Sequence, residues 1–87
     1  MAKTVLAVHP KRHMRRLIEV NLRRAGYAVL TAADAREALS LVQAHRVDRI
    51  VLDWMLTELQ VALQKHPATR DIPVTMLQPG ARSFISA

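Results

Sequence analysis

The chain contains no cysteine in its 87 residues, which excludes a disulfide framework and a thiolate metal site and fits a reducing compartment. Gly26 and Gly80 are the two glycines present, too few for a loop that cradles phosphate. Aromatic residues are limited to Tyr27, Trp54 and Phe84, so an aliphatic core of Leu, Val, Ile and Ala must carry the burial. Acidic residues are scarce as well, 7 against 13 Lys and Arg, for a formal charge of +6. No apolar run approaches the roughly 18 residues that a membrane span requires. The start, Met1-Ala2-Lys3-Thr4, runs straight into a strand-like segment without a leader pattern. The expectation is a soluble, cytoplasmic protein with no membrane partner. One domain over residues 1–87 is expected, small enough that oligomerisation or a partner can help its core.

What is present is a regular alternation. Thr4-Val5-Leu6-Ala7-Val8 is a nearly continuous apolar run, the pattern of a strand covered on both faces, and Pro10 ends it. From Arg12, positions Met14, Leu17, Ile18, Asn21, Leu22 and Ala25 recur at helical spacing, and Gly26 supplies the left-handed residue that stops a helix. Tyr27 to Thr31 reads as a second strand. Asp34 with Glu37 forms a capping-box-like start to a helix that turns Ala35, Ala38, Leu39 and Val42 inward. Val47 to Asp53 is the third strand, Thr57 to His66 a shorter helix with Leu59, Ala62, Leu63 and His66 on one stripe, and Ile72 to Leu77 the fourth strand. Strands alternating with helices in this rhythm imply right-handed crossovers and a parallel sheet with helices on both faces.

Few residues carry chemistry. Asp53 closes an apolar strand, and open α/β sheets place their chemistry at such carboxyl ends. Lys11, Arg12, Arg15, Arg16, Arg23 and Arg24 cluster with only Glu19 to offset them, a surface that attracts anions, although one solvated helix face accounts for it equally well. Lys11, Arg12, Arg15 and Arg16 are the candidate anion contacts. The histidines His9, His13, His45 and His66 lack zinc-site spacing, since Pro10 breaks any helix joining His9 to His13. Ser83 and Ser86 have no base at a recognisable spacing, so a hydrolase is not supported. No metal, cofactor or enzymatic activity is expected. Trp54 is expected to pack over the loop after Asp53.

The succession Lys3 to Val8, Arg15-Arg16-Leu17-Ile18, Ala25-Gly26-Tyr27, Thr31-Ala32-Ala33-Asp34, Glu37-Ala38-Leu39, Arg49 to Asp53 and Pro67 to Val74 resembles the receiver domain of bacterial two-component response regulators. The resemblance implies a flavodoxin-like three-layer αβα fold with parallel strand order 2-1-3-4. It implies that Asp53 stands at the phosphoacceptor position. Phosphoryl transfer to a carboxylate brings two anions together and needs a magnesium ion held by oxygens beside the nucleophile. The family supplies those oxygens from an acidic pair after the first strand. Here the matching positions are His9 and Pro10, followed by Lys11, so the pocket is neutral to basic. Gln78 aligns with the hydroxyl residue that ends strand four, Thr57 with a usual proline, and the segment from Asp53 to strand four is several residues short. Asp53 is therefore expected to be a vestigial phosphoacceptor, paired with Lys11 or His9.

The tail, Gly80 to Ala87, resembles the family's fifth strand, with Phe84 at the aromatic switch position and Ala87 at the lysine position. That alignment implies a truncated receiver-like domain: a βαβαβαβ core over residues 1–77, then a turn and a terminal strand segment over 78–87. Gln78-Pro79-Gly80-Ala81 is too short for a parallel crossover and suits a type II turn. The last strand is then antiparallel to the fourth or exchanged with another chain. Loss of the fifth helix would uncover apolar sheet, which monomers rarely leave exposed. A homodimer with Met76, Leu77, Phe84 and Ile85 near the contact is expected. The function expected is a phosphorylation-independent, receiver-like adaptor or regulator acting through protein association in bacterial signalling or transcription control. The alternatives are nucleic-acid binding through the basic first helix, and a phosphoacceptor in which Asp53 is still active.

Overall fold

The computed structural model describes residues 2–77. The elements run β1 (Thr4–Val8), α1 (Arg12–Arg24), β2 (Ala28–Ala32), α2 (Ala35–Ala44), β3 (Arg49–Asp53), α3 (Thr57–Lys65) and β4 (Val74–Leu77). All pairings are parallel, in the expected order β2-β1-β3-β4. The architecture is the flavodoxin-like one. The expected path of residues 78–87 lies outside the described residues.

The period-two alternation of side chains divides the core into two layers. On one face Val5, Ala7, Val29, Val51 and Leu77 meet Ile18 and Leu22 of α1, with Tyr27 at the margin. On the other, Leu6, Val8, Ala32, Ile50 and Leu52 meet Ala38 of α2 and Leu63 of α3. β1 lies between β2 and β3 and is covered on both faces, and Val5 through Val8 are fully buried. An uninterrupted apolar run is what such a strand requires.

Helix boundaries follow local chemistry. Asp34 accepts the Glu37 N–H at 2.9 Å, which satisfies a donor that α2 leaves open, while the Glu37 carboxylate accepts the N–H of Ala33, the residue before the cap, at 3.3 Å. Gly26 stands at φ 98 just past the end of α1, where its N–H donates to the Arg23 carbonyl. α3 stops at Lys65, and His66 caps it instead of continuing the helix.

Some expected inward positions are not buried. α1 buries Ile18 and Leu22, but Leu17 is 50% exposed and Ala25 is exposed. Leu17 and Ile18 are adjacent, about 100° apart around the helix, so a single helix layer buries one and turns the other outward. Ala62 of α3 is likewise exposed, and Ala35, Leu39 and Val42 of α2 are only half-buried. β2 is shifted one residue later than expected, and β3 and β4 start two residues later. Pro73, which has no N–H to donate, contributes only its carbonyl to Ile50, at 2.9 Å. No helix among the described residues is long and apolar enough to cross a membrane.

Candidate functional site

The register brings the candidate residues together. Val8 pairs with Leu52 across β1 and β3, so the next positions on each strand, His9 and Asp53, stand side by side at the carboxyl edge of the sheet. The His9 N–H donates to the Ala32 carbonyl at 3.0 Å, which carries the β1–β2 ladder one residue further. Its ring is then held against β3, with His9 Nε2 3.6 Å from Asp53 Oδ2 and side-chain exposures of 9% and 23%. That separation is beyond a hydrogen bond and would be an ion pair only with the ring protonated. Of the two partners expected for Asp53, His9 is the one in place; no ion pair joins Lys11 to Asp53 among the described residues.

The rest of the ring is also engaged. His9 Nδ1 accepts the Lys11 N–H at 3.1 Å. A nitrogen that accepts carries no proton, so the neutral ring bears its proton on Nε2, the atom facing Asp53. Burial lowers the His9 pKa from the ordinary 6.5; Asp53 pulls it back up, and the charges of Lys11 and His13 push it further down. Burial outweighs the neighbouring carboxylate because most of the ring has left water while Asp53 remains partly hydrated.

Asp53 is bound to its own loop. Its Oδ1 accepts the Met55 N–H at 3.0 Å, an Asx-type turn, and its carbonyl accepts the Leu56 N–H at 2.9 Å. The Trp54 N–H donates to the Leu77 carbonyl at 3.0 Å, but Trp54 is 44% exposed and Met55 is 69% exposed, so Trp54 is not packed away over the loop. On the α2–α3 side the same loops border a cleft of about 380 Å³ whose lining includes Pro10, Asp34, Met55, Thr57 and Glu58.

The basic candidates separate. Arg15 Nη1 donates to the His9 carbonyl at 2.8 Å and the Pro10 carbonyl at 3.1 Å, so Arg15 clamps the β1–α1 turn. Lys11, Arg12 and Arg16 are exposed, and the first turn of α1 holds no acidic residue. Nothing in the sequence marks the Arg15 clamp, because a contact from a helix side chain to carbonyls five and six residues back depends on how the turn folds. The Arg49 Nη1–H donated to Thr75 Oγ1 at 2.8 Å across β3 and β4 is equally invisible without the register. Met76 packs into the layer under α2 and α3, and Leu77 into the α1 layer at 9% exposure. Gln78, Phe84, Ile85 and Ala87 lie outside the described residues.

A hard divalent cation takes oxygen ligands. Beside Asp53 stands an imidazole, Asp53 Oδ1 is already an acceptor for Met55, and among the described residues no three of His, Cys, Asp and Glu gather into a metal-holding group. The donor set does not fit magnesium.

Residues 5–77 match the family model for the response regulator receiver domain. The chain is 37% identical over 82 residues to the phosphate regulon transcriptional regulatory protein PhoB of Pseudomonas aeruginosa, with 88% of this chain and 36% of that protein covered. It is 38% identical over 87 residues to the alkaline phosphatase synthesis transcriptional regulatory protein PhoP of Bacillus subtilis, with 97% and 36% covered. The chain thus spans about a third of the length of these curated relatives. Among solved structures, the chemotaxis protein CheY4 of Vibrio cholerae superposes with a TM-score of 0.73 at 33% identity, over 87% of this chain and 68% of that one. The N-terminal domain of a response regulator receiver protein from Methanoculleus marisnigri gives 0.72 at 33% identity, over 84% and 63%.

Proposed function

The chain belongs to the response regulator receiver family, and from that premise we propose that it is a phosphorylation-independent member. In this reading it acts as a dimeric adaptor or regulator in bacterial signalling or transcription control, with no enzymatic role. The observation that supports this is the replacement of a cation pocket by a ring: His9 Nε2 lies 3.6 Å from Asp53 Oδ2, where the family places an acidic pair. Two anions cannot approach without a counter-charge, and a lone neutral imidazole supplies none. Residues 1–87 then form one receiver-like unit that acts on a protein partner. The dimer contact is proposed near Met76, Leu77, Phe84 and Ile85.

Two measurements on the full chain test it. Sedimentation at micromolar concentration is expected to show a dimer, and incubation with acetyl phosphate and magnesium is expected to leave the intact mass unchanged. A monomer whose mass rises by one phosphoryl group, with the increment lost in Asp53→Asn, would instead establish the phosphoacceptor alternative.

The exposure of Lys11, Arg12 and Arg16 on the turn and first helical turns supports nucleic-acid binding as a second reading. Phosphate contacts of that kind weaken steeply as salt rises. A filter-binding titration at low salt that retains no duplex DNA or single-stranded RNA removes this reading.

A further inference from the structure

We propose that His9 is a proton-operated switch: protonation at Nδ1 releases the Lys11 N–H at the start of α1 and sets a cation beside Asp53, so the β1–α1 turn and the Asp53 loop respond to pH together. The proposal rests on the reading of Asp53 as an unmodified carboxylate.

The geometry leaves the ring only one way to take a proton. In its neutral form Nε2 carries the proton toward Asp53 and Nδ1 holds the Lys11 N–H at 3.1 Å. A proton from solvent bonds to the Nδ1 lone pair, and no bond within the protein breaks covalently. Two N–H donors then face each other across a hydrogen-bond distance, so the ring must turn or the turn must open. α1 has no side-chain cap at Lys11 and no acid in its first turn. The His9 ring is therefore the side-chain acceptor at this helix start, and protonation withdraws it.

The surrounding charges set how readily this happens. Asp53 of β3 favours the imidazolium, while Lys11 of the turn and His13 of α1 oppose it. The guanidinium of Arg15 on α1 adds a further positive charge at the His9 carbonyl, and β2 contributes only the uncharged Ala32 carbonyl. With one carboxylate against these charges and a His9 side chain only 9% exposed, the imidazole takes its proton below the ordinary 6.5. Imidazolium then approaches Asp53 Oδ2, and the Asp53 loop, tied through Oδ1 to Met55, shifts with it.

The test is an NMR titration of the full chain from mildly alkaline to mildly acidic pH, following ring nitrogens and backbone amides. The expected alkaline tautomer is Nε2–H, with His9 titrating below 6.5, the ordinary value. The Lys11 and Met55 amides are expected to move with the His9 midpoint. Asp53→Asn should lower that midpoint and Lys11→Gln, at an exposed side chain, should raise it. An Nδ1–H tautomer at alkaline pH, a Lys11 amide indifferent to the His9 titration, or a midpoint unmoved by Lys11→Gln overturns the proposal. A silent Lys11 amide would leave phosphorylation independence standing, whereas phosphoryl uptake by Asp53 would remove that reading and leave the titration result as measured.

Discussion

Replacing Arg15 with alanine removes the clamp on the β1–α1 turn and isolates what it contributes. Arg15 Nη1 holds two carbonyls, His9 at 2.8 Å in a part-buried setting and Pro10 at 3.1 Å in an exposed one. A hydrogen bond involving a charged group contributes about 1.5–3 kcal/mol when shielded from water. Only the His9 bond is shielded, and water re-solvates both carbonyls once the side chain is gone, so the net loss is about 1–2 kcal/mol. For a domain of this size that lowers the melting temperature by roughly 4–15 °C. Circular dichroism melting at fixed pH measures it, with Arg16→Ala as the control. Arg16 is exposed and should change stability by no more than about 0.5 kcal/mol. Arg15→Lys should recover only part of the loss, because an ammonium lacks the planar fork. Equal melting shifts for the Arg15 and Arg16 variants would refute the clamp.

Other expectations follow from burial, backbone and charge. Leu63→Ala, at 1% exposure, should cost about 2–5 kcal/mol by chemical denaturation, whereas Leu17→Ala, at 50% exposure, should stay within about 0.5 kcal/mol. Gly26→Ala should cost roughly 1 kcal/mol through its φ of 98 alone, since an added Cβ meets nothing within 4 Å. His9 binds its proton less readily folded than unfolded, so the unfolded chain holds more protons in that interval. The contribution is fully present above the unfolded value of 6.5 and is lost as pH falls from there through the lower folded value. Urea midpoints across that range should show the slope, and His9→Gln should flatten it.

The strand order and the α1 core contacts Ile18 and Leu22 are legible in the sequence because β-α alternation and helical spacing are repeated, redundant signals. Gly26 and the Asp34–Glu37 cap are legible because each is a local pattern with one mechanism. Leu17 misleads for a different reason: an apolar residue beside a buried one fits a wide stripe in sequence, and only the actual packing shows how narrow the buried face is. At the site, the placing of His9 and Pro10 at the family's acidic-pair positions can be read from the resemblance. Which of Lys11 and His9 meets Asp53 cannot, because the choice is made by parallel register and by the Nδ1 bond that fixes the ring. The role of Arg15 is hidden on similar grounds. A positive charge in a basic run looks like an anion contact, and only the folded turn brings the His9 and Pro10 carbonyls within reach of its guanidinium.

The most direct measurement of the central claim is a titration of the full chain with magnesium and beryllofluoride, followed by the fluorescence of Trp54 and the amide resonance of Met55, both within two residues of Asp53. No saturable change is expected in either signal, because the family resemblance puts His9 and Pro10, which offer no side-chain oxygen, at the positions of its acidic pair. A saturable change that disappears in Asp53→Asn would show that this corner seats a cation and a phosphoryl mimic together, and would contradict the account.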